Sequence, residues 1–181
     1  GAADSQDKAL EYGLKYHRPE EVDIALAEVK RRWADLLGTV VVDIPDEAMK
    51  LMQNKWLKYQ AISGRMWGRS AYYQTGGAFG FRDQLQDSQL WLTIDPEQTL
   101  RQIRLHARHQ FKDGSVYHWW HPITEIGLHK RISDNLLWLP YVVHNYLQET
   151  NNWSALDVIE PWVNDGTEAS LYDHCVRAID L

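Results

Sequence analysis

The chain has 181 residues, enough for one domain with a sizeable core. It is 44% hydrophobic and 24% charged, the balance of a folded globular protein and not of a disordered one. With a net charge of −6 and no basic stripe the chain is a poor candidate for duplex nucleic acid, and no run approaches the about 18 apolar residues of a membrane span.

Gly1 to Ala9 carry neither a basic segment nor an apolar segment of a secretory signal. The single cysteine, Cys175, excludes an internal disulfide framework and fits a reducing compartment, so the expected location is the cytoplasm. Cys175 reads as a buried small hydrophobe, with a catalytic thiol as the alternative. Nine Trp and nine Tyr stand against three Phe. Trp and Tyr join an apolar face to a polar edge, which suits stacking on flat ligands such as sugars or bases. The acidic balance favours sugars, while at least half of the Trp are expected to be core.

In chain order, residues 1–18 are polar and read as an irregular leader. Val22, Leu26, Val29, Trp33 and Leu36 form one stripe of a helix from about Glu20 to Leu37, stopped at Gly38. Val40 to Val42 read as an extended link. Pro45 opens a second helix with the stripe Met49, Met52, Trp56, Tyr59, Ile62 and Met66. The pattern breaks from Arg69 to Gly80, where Gly76, Gly77 and Gly80 lie beside Tyr72, Tyr73, Phe79 and Phe81. A third helix covers roughly Arg82 to Leu92. Asp95-Pro96 starts a fourth, which runs to about Phe111. Asp113-Gly114 is a turn, and Val116 to Ser133 a long aromatic loop with room for a hairpin. Ser133 and Asp134 open a fifth helix, with Pro140 tolerated in its first turn. A second loop covers Asn151 to Gly166, and a sixth helix begins near Thr167 or Glu168. That helix stops at Leu181 without a terminator, as expected of a piece of something longer.

Three groups of residues could carry chemistry. The Gly-rich segment delivers Arg82 and Asp83 into a helix start, where a guanidinium fork and a carboxylate can hold vicinal sugar hydroxyls. The alternative is an ion pair that caps the helix. Asp134 is either a cap at a helix start or a general acid, the latter requiring burial or a nearby anion to keep its proton. His106, His109, His118, His121 and His129 could bind zinc, but there is no Cys nearby and no H-E-x-x-H, so hydrogen bonding in a polar pocket is preferred and no metal is expected. There is no G-x-S-x-G, phosphate-binding Walker loop or kinase signature.

Two long segments, "YYQTGGAFGFRDQLQD" (residues 72–87) and "DGSVYHWWHPITEIGLHKRISDNLLWLPY" (residues 113–141), resemble the inverting β-glycoside phosphorylases of glycoside hydrolase family 94, and "NKWLKYQ" (residues 54–60) also fits. The resemblance runs from about residue 50 to the C-terminus. It implies an all-α chain forming about half of an (α/α)6 barrel: residues 1–18 as leader, 19–45 as a linker helix region, and 46–181 as the N-terminal half of the catalytic barrel. By resemblance, Asp134 is the general acid, protonating the glycosidic oxygen while inorganic phosphate attacks the anomeric carbon from the opposite face. Phosphate is already an anion, so no second catalytic carboxylate is needed, and its charge would help keep Asp134 protonated. Arg82 and Asp83 match the family's donor-sugar motif. Trp119, Trp120 and His121 complete the expected substrate-binding set.

Three positions depart from the cellobiose-type pattern. Gly77 stands where an Arg is found six residues before the motif Asp, Ile132 where a Trp precedes the acid, and Asn135 where a second Asp often follows it. These departures point to the branch of cellobionic acid phosphorylase and the phosphorylase domain of cyclic β-1,2-glucan synthase, with cellobionic acid as the preferred substrate. The expected partners are an oligosaccharide or disaccharide, phosphate, the remaining part of the catalytic domain, and a second copy in a homodimer. No cofactor is expected beyond phosphate as co-substrate. A non-catalytic carbohydrate-binding fragment is the competing reading.

Overall fold

A computed structural model describes residues 5–68, 77–122 and 124–181, so the Tyr72, Tyr73 and Gly76 expectations lie outside the described residues. The chain is mostly helical. It divides into two compact units, Gly1–Val41 and Val42–Leu181. No helix among the described residues is long and apolar enough to cross a membrane.

The first unit holds α1 (Gln6–Lys15) and α2 (Pro19–Gly38). The expected irregular leader therefore contains a helix. Ser5 caps it by accepting from the Lys8 amide at 3.3 Å, and Asp7 and Lys15 sit at the ends where the helix dipole favours their charges. None of its side chains is buried, so no apolar stripe betrays it. α2 covers the expected helix, with Pro19 in its first turn, while Val22, Leu26 and Val29 of its stripe are exposed.

The second unit begins with a clamp. Asn54 accepts from the Val42 amide at 2.7 Å and donates to the Val42 carbonyl at 2.8 Å, replacing a strand partner for that extended residue. Asp46 then caps α3 (Glu47–Leu51) by accepting from the Met49 amide. The helical run continues through a π turn (Met52–Trp56), α4 (Leu57–Gln60) and a second π turn (Ala61–Trp67). The expected regular 3.6-residue stripe is thus interrupted twice, each π turn shifting later side chains around the axis. Ile62 is buried, whereas Met49, Met52, Trp56 and Tyr59 are exposed. Arg65 pairs with Asp87 at 2.8 Å and joins this run to α5.

The core lies among α5 (Phe81–Ser88), α6 (Pro96–Ala107), α7 (Trp138–Thr150) and α8 (Leu171–Asp180). Phe81, Leu85, Ile103, Trp120, Leu139, Val142, Tyr146 and Leu171 fill it. Burying each such side chain contributes roughly 1.5–3 kcal/mol. Pro140 falls in the first turn of α7, where its missing N–H costs nothing, and Asn151 ends that helix in the left-handed region at φ 53°.

Between α6 and α7 the long aromatic loop is a hairpin of β2 (Tyr117–Trp120) and β3 (Gly127–His129). β1 (Phe79–Gly80) adds to it antiparallel, pairing Phe79 with Trp120 and Gly80 with Trp119. Two corrections follow near the C-terminus. β4 (Ile159–Pro161) pairs with β5 (Glu168–Ser170), so the last helix starts only at Leu171, capped by Ser170 accepting from the Asp173 amide. These short strands qualify the all-α expectation: the loops between helices are long enough to pair with each other.

Candidate active site

Asp134 does not open a helix. It sits in a run of turns at residues 133–137, one turn ahead of α7. The Leu137 amide bonds the Asp134 carbonyl at 3.1 Å and the Trp138 amide the Asn135 carbonyl at 3.3 Å, both tight i to i+3 bonds. The helix-start expectation missed this because Pro140 sits better in the first turn of a helix that begins at Trp138.

Arg82 and Asp83 do not pair with each other. Arg82 Nη1 donates to Asp134 Oδ2 at 2.6 Å, bringing together the two segments singled out in the sequence. Its guanidinium also lies over the Trp138 ring, 5.4 Å from the centroid. Trp138 Nε1 faces the same Asp134 oxygen at 3.5 Å. Asp134, Leu137, Trp138 and Tyr141 line an open cleft of about 420 Å³. Trp138 and Tyr141 meet edge to face, with centroids 5.4 Å apart, so the cleft has an aromatic wall. Trp138 and Tyr141 were not singled out as site residues, although both stand in the quoted motif. An aromatic four positions after the acid is the signal that could have found Trp138.

Asp83 folds back over the start of its own helix. A Cβ added to Gly80 would overlap Asp83 Oδ2, so the glycine leaves the space that this carboxylate fills. Gly80 also pairs with Trp119, which sets the hairpin beside the Arg82-Asp83 corner. Trp119 is half-buried and meets the exposed His121 edge to face at 5.4 Å.

Trp120 is different. Its side chain is fully buried, stacked on His109 at 3.9 Å and flanked by His106 and Phe79. In this structure it is a core residue and presents no face to a sugar, a correction to the expected binding set. Strand alternation explains the split, since neighbouring residues of β2 point to opposite faces. The expectation that half of the Trp are core also fails: Trp91, Trp120 and Trp162 are buried and the other six keep partial or full exposure.

A bulge reaches the residue that follows Asp134. Tyr117 pairs with His129 and Trp119 with Leu128, so His118 is the extra residue of β2. Its re-aimed ring accepts at Nδ1 from Asn135 Nδ2 at 2.9 Å, and Asn135 is buried. The residue after the acid is thereby bonded to the hairpin.

The remaining histidines have separate partners. His109 meets the Leu105 carbonyl through Nδ1 and the Glu125 carboxyl through Nε2, both at 2.7 Å. His129 bonds the Ser115 hydroxyl at 2.9 Å. Among the described residues no three His, Cys, Asp or Glu side chains converge as a metal site. Burial pushes the Cys175 thiol up to about 12, so it carries no thiolate near neutral pH and packs as a hydrophobe.

The family model described as the glycosyl hydrolase 94 superfamily, catalytic domain, matches residues 32–181. The chain belongs to this family. It is 38% identical to the cyclic β-(1,2)-glucan synthase NdvB of Rhizobium meliloti over the whole chain, which covers 7% of that protein. It is 30% identical to the N,N'-diacetylchitobiose phosphorylase of Vibrio proteolyticus, covering 92% of the chain and 24% of the relative. The solabiose phosphorylase of Paenibacillus borealis is 27% identical over 99% of the chain and 22% of its own length. The chain thus spans less than a quarter of the length of these curated relatives.

Proposed function

We propose that this chain supplies the general acid and part of the donor-sugar site of an inverting glycoside phosphorylase. Asp134 protonates the glycosidic oxygen, the bond to the anomeric carbon breaks, and inorganic phosphate forms the new bond from the opposite face, giving α-glucose 1-phosphate. The observation that carries this reading is the meeting of Arg82 and Asp134 at one aromatic-walled cleft. Trp138 and Tyr141 offer flat apolar faces to a sugar ring, and the reading adds Asp83, Trp119 and His121 as further sugar contacts, supported by the Gly80–Trp119 pairing at the start of α5. In the same reading residues 46–181 are the N-terminal half of an (α/α)6 barrel, residues 19–45 lead into it, and the phosphate-binding residues lie beyond this chain. The working unit is an enzyme of the cytoplasm that needs no cofactor besides phosphate.

Two substrates stand apart. The motif likeness favours cellobionic acid. The 38% identity to the glucan synthase along the whole chain favours a β-1,2-linked glucan, and this is the specific observation for a second reading. The test is phosphate-dependent release of α-glucose 1-phosphate by the full-length protein from cellobionic acid and from β-1,2-glucan. Release from either substrate supports the phosphorylase reading and assigns the linkage. No release from β-glucosides, with sugar binding retained, overturns it in favour of a carbohydrate-binding role.

A further inference from the structure

We propose that the Arg82–Asp134 ion pair is a resting latch, opened by the hydroxyls of the donor sugar before Asp134 acts; this rests on the reading of Asp134 as the general acid. A general acid must hold a proton on a carboxyl oxygen and bring that oxygen to the leaving group. Here Asp134 Oδ2 receives Arg82 Nη1 at 2.6 Å and faces Trp138 Nε1 at 3.5 Å. Both are donors, and neither leaves a role for a proton on that oxygen. The guanidinium occupies the approach to Oδ2, so this contact and a proton held on the same oxygen for a leaving group exclude each other.

The latch is built to be released. Both partners are about half exposed, at 48% and 43% for the side chains, and ion pairs at such exposure are weak. Arg82 rests on the Trp138 ring, an apolar platform that a sugar ring can take over. It also sits in the first turn of α5 beside Asp83, so a guanidinium that leaves Asp134 has sugar hydroxyls within the same corner. On release the carboxylate takes a proton from hydronium, leaving water, and the positive charge moves to the hydroxyl side of the sugar. Turnover then requires an occupied donor site, which protects the acid from idling in its protonated form.

The experiment compares pH profiles of kcat/KM and kcat for the full-length parent and its Arg82→Gln variant, since the first reports the free enzyme and the second the substrate complex. In the parent, the alkaline limb of kcat/KM is expected to lie below that of kcat, because the Arg82 guanidinium covers Asp134 Oδ2 only in the free enzyme. In Arg82→Gln the two limbs are expected to coincide, and in Arg82→Lys to stay apart. The other ionisable groups on these elements are Asp83 and Asp87 on α5, Tyr117 and His118 on β2, Arg131 before the turn, and Tyr141, His144, Tyr146 and Glu149 on α7. They and phosphate are common to all three proteins, so the comparison removes them. Coincident limbs in the parent, or equal separation in Arg82→Gln, overturn the latch. Should Arg82→Gln be too slow to profile, sugar-induced change in Trp138 emission without phosphate replaces it. That change is expected in the parent and absent in Arg82→Gln and Trp138→Phe, and an undiminished change in Arg82→Gln overturns the latch. An Asp134→Asn variant that keeps its activity sinks the acid reading itself, whereas an inactive one beside coincident parent limbs sinks the latch alone.

Discussion

Arg82 Nη1 lies 2.6 Å from Asp134 Oδ2 across 52 positions of sequence. The contact joins the Gly-rich corner at β1 and α5 to the turn ahead of α7, and it sets the geometry on which the remaining expectations depend.

The Asp83 carboxylate occupies the space above Gly80. Gly80→Ala is expected to push that carboxylate aside and to loosen the Gly80–Trp119 pairing. Misplacing a positioning group by an ångström can cost about 100-fold. The check is steady-state kinetics: kcat/KM falls by that order, chiefly through KM for the sugar, while the melting temperature changes little.

Asn135 is buried and donates to the ring of His118, the bulged residue of β2. Asn135→Ala is expected to cost about 1–2 kcal/mol in denaturant unfolding.

Glu160 is buried and accepts from Arg104 of α6 and from Arg108, which caps that helix. Burial pushes its carboxyl up, but the hydrogen bonds and charge of Arg108 and Arg104 outweigh burial and hold it below the ordinary range. A lowered carboxyl contributes stability above its unfolded-state value and loses it as pH falls through the folded value. Thermal melts below about pH 4.5 are therefore expected to show an acid loss that Glu160→Gln lacks. At neutral pH Glu160→Ala is expected to cost about 2 kcal/mol, the half-exposed arginines tempering the penalty for a broken buried pair.

Gly114 ends the turn after α6 at φ 95°, and a Cβ there would overlap the Arg177 carbonyl of α8. The obstacle is backbone and cannot rotate away. Gly114→Ala is expected to destabilise by at least about 2 kcal/mol, read as a lower denaturant midpoint at unchanged slope.

The sequence revealed helices where an apolar stripe met a cap or a proline, as in α2 and α6. It concealed α1, whose side chains are all exposed, and the π turns after α3, because inserting one residue into a turn leaves the same residue types in the same order. The Asp113-Gly114 turn and the hairpin were legible from their turn residues and aromatic run. The Arg82–Asp134 contact was not, since both candidate pairs were read locally and a 52-residue closure leaves no periodic trace. Trp119 and Trp120 were read together, and only strand alternation in β2 separates a half-buried site neighbour from a core ring.

The most direct measurement is phosphate-dependent release of α-glucose 1-phosphate by the Asp134→Asn variant of the full-length protein beside the parent. Loss of a positioned general acid costs about 100-fold or more, so a drop of at least that size with sugar binding retained is expected. A rate within about tenfold of the parent's, well short of the general-acid contribution, contradicts the assignment of Asp134.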